Sequence, residues 1–191
     1  MKKKIQKINS PTIIEFGVKE GRSTRVFLDI CKKNKGKLFS VDVDDYSDII
    51  NDPEWTFIKS RDDNFNYLKD KIPESFDVIY LDSLHEADHV EKIFYHYFPK
   101  LKVNGFFFID DISWLPYIKN QSRDSFYCEI NNKETFDRIL SIFQNNQENF
   151  DLDFNFIASG SCMIFKKKNE LNKSIKITTR ENTPKNLIKR F

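Results

Sequence analysis

The residues in this 191-residue chain best placed to do chemistry are acids that close apolar runs. Asp42 ends KLFSVD, Asp82 ends FDVIYLD, and Asp110 and Asp111 end FFFIDD. Each run has the apolar, β-branched and aromatic make-up of a buried strand. Strands of one parallel sheet would bring these carboxylates to a single edge, where like charges repel and an accidental cluster costs stability. Each acid taken alone fits a turn or a helix cap; four on one edge favour function. Asp82, Asp110 and Asp111, converging from neighbouring strands with no thiolate in reach, suit a hard divalent cation such as Mg²⁺. Asp42 suits a different task. An acid at the end of the second strand of a nucleoside-binding sheet accepts hydrogen bonds from ribose hydroxyls.

The same edge carries TIIEFGVKEGRST, residues 12–24. Ile13 and Ile14 read as a buried strand, followed by Glu15 and by two glycines four apart, Gly17 and Gly21. After Gly21 the pattern becomes helical. This strand–turn–helix junction is where an open α/β sheet holds a ligand, and glycine there allows both a sharp turn and close approach. The spacing is not G-x-G-x-x-G, because Lys19 stands two positions after Gly17. Asp62 and its neighbour Arg61 follow the third strand, where an adenine is expected. Asp62 is equally placed to cap the next helix. Residues 85–89, His-Glu-Ala-Asp-His, satisfy the H-E-x-x-H pattern of zinc proteases. That reading needs His85 and His89 on one helical face, yet His85 falls at or before the helix start and no third ligand is evident. A surface or packing role is the expectation for His89 and His96.

These residues need a scaffold, and the periodicities supply one. Strand and helix patterns alternate, which argues a parallel sheet with helices on both faces. Strands are expected at about 12–17, 37–42, 55–59 and 76–82, then from Gly105 to Asp111, with a closing antiparallel hairpin near 151–157 and 161–166 around Gly160. Helices are expected at about 21–34, from Asp62 to Lys71, at 86–101 and at 133–146, with Asn34 and Gly36 stopping the first. The long connection 112–132 is expected to be functional. It offers Trp114, Tyr117, Phe126 and Tyr127 with Lys119, Arg123 and Asp124, a mixture of aromatic faces and polar groups that suits a sugar; Trp114 and Tyr117 equally fit a gap-filling role.

Composition bounds the partners. The formal net charge is +2, with 39% hydrophobic residues and 19 phenylalanines to build a core. Nine basic and two acidic residues between Lys166 and Phe191 give that stretch +7, so the remainder is −5. An acidic body does not suggest a nucleic-acid surface. The expected organisation is one domain, 1–166, and a basic tail, 167–191. Three unpaired cysteines, no apolar leader and no membrane-length apolar run make a cytoplasmic protein the expectation.

Glu15-x-Gly17-x-x-x-Gly21 resembles the first motif of class I S-adenosylmethionine-dependent methyltransferases. FDVIYLDSLH followed by GFFFIDD resembles the metal-dependent O-methyltransferases, both the catechol type and the sugar-modifying relatives of macrocin O-methyltransferase. The resemblance covers residues 12–115 as motifs, is looser through DDISWLPY and the helix after it, and is weak over the tail. It implies a Rossmann-like α/β fold with seven strands, six parallel and the last antiparallel. It implies that Glu15, Gly17, Gly21, Ser23, Asp42, Val43 and Asp62 bind S-adenosylmethionine. It also implies that Asp82, Asp110 and Asp111 hold Mg²⁺ or Mn²⁺, and that Asp82 and His85 serve catalysis, His85 as general base. Lysine is usual at that position in the catechol enzymes, so His85 points to the sugar branch. Trp114, Tyr117 and Arg123 are the expected substrate contacts. The acceptor is expected to be a sugar, a glycan or another small molecule, with no nucleic-acid partner. Little sequence precedes Ile13, so a lid must come from 112–132 or from a second subunit, which makes a homodimer an expectation too. A non-catalytic nucleoside-binding subunit is the alternative from another class.

Overall fold

In the computed structural model of the chain, the described residues are 1–114 and 126–177, with 126–129 described by backbone alone. Seven strands form one sheet: β1 (Thr12–Phe16), β2 (Lys37–Asp42), β3 (Trp55–Lys59), β4 (Phe76–Leu81), β5 (Leu101–Asp110), β6 (Phe150–Asn155) and β7 (Ser161–Lys166). Their order is β3-β2-β1-β4-β5-β7-β6. Strands β1 to β5 pair in parallel, and β7 runs antiparallel between β5 and β6. Six strands therefore point one way and one opposes them, as expected.

The central strands are buried on both faces, so their sequences are nearly continuous apolar runs rather than alternating ones. Along β1, Ile14 and Phe16 enter one core and Ile13 the other, following the two-residue period of a strand. The first core is closed by α4 (Ala87–Tyr97) through Val90, Ile93, Phe94 and Tyr97. The second is closed by α2 (Arg22–Asn34) through Phe27, Leu28, Ile30 and Cys31, with Ile5 added from a short α1 (Lys2–Ile5) that the sequence pattern did not reveal. Glu15 shares the Ile13 face and is fully buried beneath α2. Between the sheet strands lie α3 (Phe65–Leu68) and α5 (Phe126–Gln144).

Several boundaries differ from expectation, and α3 covers only Phe65–Leu68 where a helix from Asp62 to Lys71 was expected. Helix α2 ends on Lys35, which takes the left-handed conformation (φ 58°) that Gly36 was expected to supply. The Gly36 N–H then bonds Cys31 O at 2.8 Å, and a Cβ at Gly36 would meet Pro11 O at 2.4 Å, so close packing is what demands that glycine. Helix α4 ends at Tyr97 in a 3-10 turn, Phe98–Lys100. Strand β5 begins at Leu101, ahead of Gly105, and its register with β4 shifts before Phe106 pairs with Val78. Helix α5 starts seven residues earlier than the apolar period suggested. Beyond β7, residues 167–177 stay on the body: Lys167 and Lys168 N–H bond Asn149 O, Asn172 N–H bonds Asn146 Oδ1, and Leu171 packs on the first core.

Candidate functional site

The carboxyl ends of β1 to β5 share one edge, and Gly17 sits at its centre. Gly17 has φ 94°, and a Cβ there would lie 1.9 Å from the backbone oxygen of Asp82. Glycine is thus required by the approach of β1 to β4 as well as by its dihedral. The Gly17 N–H bonds Val41 O at 2.9 Å and the Asp82 N–H bonds Phe16 O at 2.8 Å, which ties the ends of β1, β2 and β4 together. Asp42 fixes the loop that follows. Its Oδ2 accepts from the Val18 and Lys19 N–H groups at 2.7 and 3.3 Å, and its Oδ1 accepts from the Asp44 N–H at 3.1 Å. Beneath the loop, Glu15 Oε2 accepts from Thr24 Oγ1 at 2.8 Å and from Ser40 Oγ at 2.7 Å. Burial pushes the Glu15 carboxyl up to about 7, against hydrogen bonds from Ser23, Ser40 and Thr24 that pull it down.

Asp62 does not cap α3, whose N-cap is Asn64 without a side-chain bond. Its carboxylate is buried and turned towards α4 instead. Oδ2 accepts from Ser83 Oγ at 2.5 Å and lies 2.9 Å from His89 Nε2. His85 precedes α4, separated from it by the N-cap Glu86, which is in extended backbone (φ −106°, ψ 134°). The two histidines of the H-E-x-x-H pattern therefore meet different acids, and the single helical face a zinc helix needs is not formed. His89 is a buried partner of Asp62, and His96 stacks on Phe65 at 3.6 Å.

Tyr80 and Asp82 lie two apart on one face of β4. Across the ladder Phe108 pairs with Tyr80, so Asp110 points the same way. The Tyr80 hydroxyl is shared between Asp82 Oδ2 at 3.3 Å and Asp110 Oδ2 at 3.1 Å. Asp111 leaves the strand in the left-handed region, φ 56°, a costly conformation for a residue with a side chain. That turn carries its carboxylate away from Asp110 towards His85, whose Nε2 is 3.2 Å from Asp111 Oδ2 and 3.5 Å from Asp82 Oδ1. One ligand atom each from Asp82, His85 and Asp111 lies within 4.8 Å of the others. Asp110 stands behind this trio on Tyr80. Burial, then the Asp110 and Asp111 charges, push Asp82 up to about 7. Asp110 is raised too, by burial and then by Asp111. Among the described residues no lysine or arginine pairs with these three acids. Carboxylates without a thiol are a donor set that fits Mg²⁺ or Mn²⁺.

A cleft of about 620 Å³ joins the two halves of the edge. Gly17, Asp42, Val43, Asp62, Asp82, His85 and Asp111 line it. Its volume lies within the usual range for a small-molecule site. Glu15, Gly21, Ser23 and Asp110 do not line it; Gly21 is the αL N-cap of α2, and Glu15 supports the turn from below. Trp114 is also outside, packed on Phe136 at 4.3 Å and on Phe156 at 5.7 Å. Tyr117 and Arg123 lie outside the described residues. Sequence reasoning missed Tyr80, Ser83 and the Asp62 partner His89. The two-residue period that joins Tyr80 to Asp82 was available in the sequence; the pairing of Asp62 with a histidine 27 positions away was not.

A methyltransferase-domain family model matches residues 14–112, just over half the chain. No curated protein matches the sequence. Among solved structures, MycE methyltransferase from the mycinamycin biosynthetic pathway, in complex with Mg and S-adenosylhomocysteine, has TM-score 0.62 and 19% identity. That alignment covers 89% of this chain and 48% of MycE, so the chain spans about half of MycE's length. A Staphylococcus aureus protein assigned as a caffeoyl-CoA O-methyltransferase aligns with TM-score 0.62 and 18% identity over 82% of this chain and 76% of its own. The S-adenosylhomocysteine-bound methyltransferase PaMTH1 of Podospora anserina gives 0.62 and 15% over 83% and 72%. These likenesses identify the fold as the Rossmann-like methyltransferase fold. With the family model spanning the glycine turn and all four strand-end acids, the chain belongs to the methyltransferase-domain family.

Proposed function

We propose that this protein is an S-adenosylmethionine-dependent O-methyltransferase that acts, with Mg²⁺ or Mn²⁺, on a hydroxyl of a sugar or glycan. The observation that carries the reading is the grouping of Asp82, His85 and Asp111 at the mouth of the cleft that starts at Gly17. When bound, S-adenosylmethionine supplies the methyl group and the cation lowers the pKa of the acceptor hydroxyl. The chain's own part is positioning and proton transfer. Gly17, Asp42, Val43 and Asp62 bound the cofactor half of the cleft. Asp82 and Asp111, with Asp110 behind them, supply the negative charge that holds the cation. His85 Nε2, 3.2 Å from Asp111 and 3.5 Å from Asp82, accepts the hydroxyl proton and must be neutral to do so. The sheet edge fixes the line of attack. The MycE structures support this assignment, since they contain Mg and S-adenosylhomocysteine, one of them with mycinamycin VI. Histidine in place of lysine at position 85 supports a sugar acceptor.

The same proposal places Trp114, Tyr117 and Arg123 on the acceptor side and closes the cleft with the 112–132 connection or a second copy of the chain. Among the described residues no helix is long and apolar enough to cross a membrane, and the buried free thiols Cys31 and Cys162 suit a reducing, cytoplasmic compartment. The test is methyl transfer from labelled S-adenosylmethionine to a panel of glycosides, with Mg²⁺ and with excess chelator. Transfer that needs the metal, together with a melting temperature raised by S-adenosylhomocysteine, supports the reading. No stabilisation by millimolar S-adenosylhomocysteine contradicts it, and stabilisation without transfer to any acceptor favours the non-catalytic subunit.

A further inference from the structure

The metal-centred chemistry leaves one buried polar cluster unused, Asp62 with Ser83 and His89, and this cluster forms a wall of the cleft. Both of its contacts converge on one oxygen. Ser83 Oγ donates to Asp62 Oδ2 at 2.5 Å, and His89 Nε2 meets the same atom at 2.9 Å. The Tyr97 hydroxyl holds the backbone of the same residue, donating to Asp62 O at 3.2 Å. His89 and Asp62 side chains are only 7% and 9% exposed, so both are largely withdrawn from solvent. Among the described residues no donor meets Asp62 Oδ1. A buried carboxylate satisfied on one oxygen by two fixed donors presents the other as a rigid acceptor. That acceptor belongs to a residue just past β3 that lines the same cleft as the acidic trio.

We infer that His89 and Ser83 are positioning residues that lock Asp62 so that Oδ1 reads the amino group of the cofactor's purine, selecting an adenine over a 6-oxo purine. The inference rests on the S-adenosylmethionine reading and deepens it. An amino group donates to Oδ1. A 6-oxo group would set its own lone pairs against a carboxylate that the clamp prevents from rotating away. Sites built to satisfy one hydrogen-bonding group reject the analogue that leaves the partner unpaired. His89 thus has a function although it touches neither methyl group nor acceptor. Its place on α4 also links the adenine wall to the segment that carries His85.

The test is calorimetric titration of the full chain with S-adenosylhomocysteine and with S-inosylhomocysteine. Wild type is expected to prefer the adenine form by roughly 10–100-fold, the range of a hydrogen bond to a charged group. His89→Ala should reduce that preference to about threefold or less, because a freed carboxylate can turn. His89→Gln, whose amide N–H reaches the same oxygen, should restore it, which a merely structural role would not produce. Ser83→Ala removes the second donor with less disturbance to the core and should lower the preference part way. Asp62→Asn should reverse the preference, since the clamp engages the amide oxygen and leaves its N–H₂ facing the purine. A folded His89→Ala or Ser83→Ala protein with the wild-type preference overturns the clamp and leaves the cofactor reading standing. Failure of wild type to bind either nucleoside overturns both.

Discussion

The two halves of the sheet edge treat their carboxylates in opposite ways. On the β2–β3 side each acid is matched. Asp42 accepts three backbone N–H groups, Asp62 is clamped by Ser83 and His89, and Asp63 is held well below the usual range by Arg61 and Lys92. On the β4–β5 side Asp82, Asp110 and Asp111 share one tyrosine hydroxyl and one imidazole, and burial with mutual repulsion pushes Asp82 and Asp110 up. Satisfied acids suit the hydroxyl and amino donors of the ribose and adenine in the proposed cofactor. Frustrated acids lack positive charge, which the proposed divalent cation would supply.

Removing charge from the frustrated half should therefore abolish turnover and spare cofactor binding. Asp111→Ala is expected to lower metal-stimulated methyl transfer by about 10³-fold or more, the several kcal/mol a catalytic cation contributes. S-adenosylhomocysteine affinity, followed by calorimetry, should move less than about threefold; a parallel loss of both would erase the distinction between the halves. His85→Ala comes next, with kcat reduced by at least about 10²-fold and little change in cofactor affinity. Steady-state kinetics with a saturating acceptor separates these quantities. Tyr80→Phe leaves Asp82 and Asp110 with no shared donor. Mn²⁺ binding, read by electron paramagnetic resonance, should weaken by about tenfold near neutral pH. Unchanged or tighter binding would mean that the hydroxyl merely fills space.

The smallest effect lies beneath the matched half. Glu15 is raised from 4.5 to about 7, so the folded state holds its proton more tightly than the unfolded chain does. Its contribution to stability is complete below pH 4.5 and is lost as pH rises through about 7. Glu15→Gln mimics the protonated form. It should flatten the fall in melting temperature between these pH values, leaving the variant a few degrees more stable than wild type at about pH 8. A wild-type fall no steeper than the variant's would show that Glu15 ionises without cost.

Elements set by continuous apolar runs were legible in the sequence, which is why β1, β2, β3 and β4 and the strand-end acids fell where expected. What depended on backbone reversal was not. Nothing in FFFIDD announces that Asp111 leaves the strand at φ 56° while Asp110 stays in it, yet that reversal gathers Asp82, His85 and Asp111 and leaves Asp110 on Tyr80. Lys35 likewise took a left-handed position that glycine usually fills. Partners far apart in the chain were the other loss. Asp62 read both as a helix cap and as an adenine contact; α3 is capped by Asn64 instead, and the partner that α4 delivers to Asp62, His89, could not be foreseen. Trp114 read equally as a substrate contact and as a gap filler, and its packing against Phe136 was settled by the tertiary position of α5. Gly17 was identified for the right position and a partial reason, since the Asp82 carbonyl already excludes a side chain there.

The central claim is that the β4–β5 acids hold a divalent cation beside a cofactor held by the other half. Calorimetric titration of Mn²⁺ into the S-adenosylhomocysteine-bound protein, for wild type and Asp82→Asn, tests it most directly. Asp82 must ionise to bind the cation and its carboxyl is pushed up to about 7, so protons compete below that value. The account expects one Mn²⁺ per chain, an affinity that rises with pH and levels off above about 7, and loss of the site in Asp82→Asn. Absence of binding in the wild type, or binding that Asp82→Asn leaves intact, would contradict it.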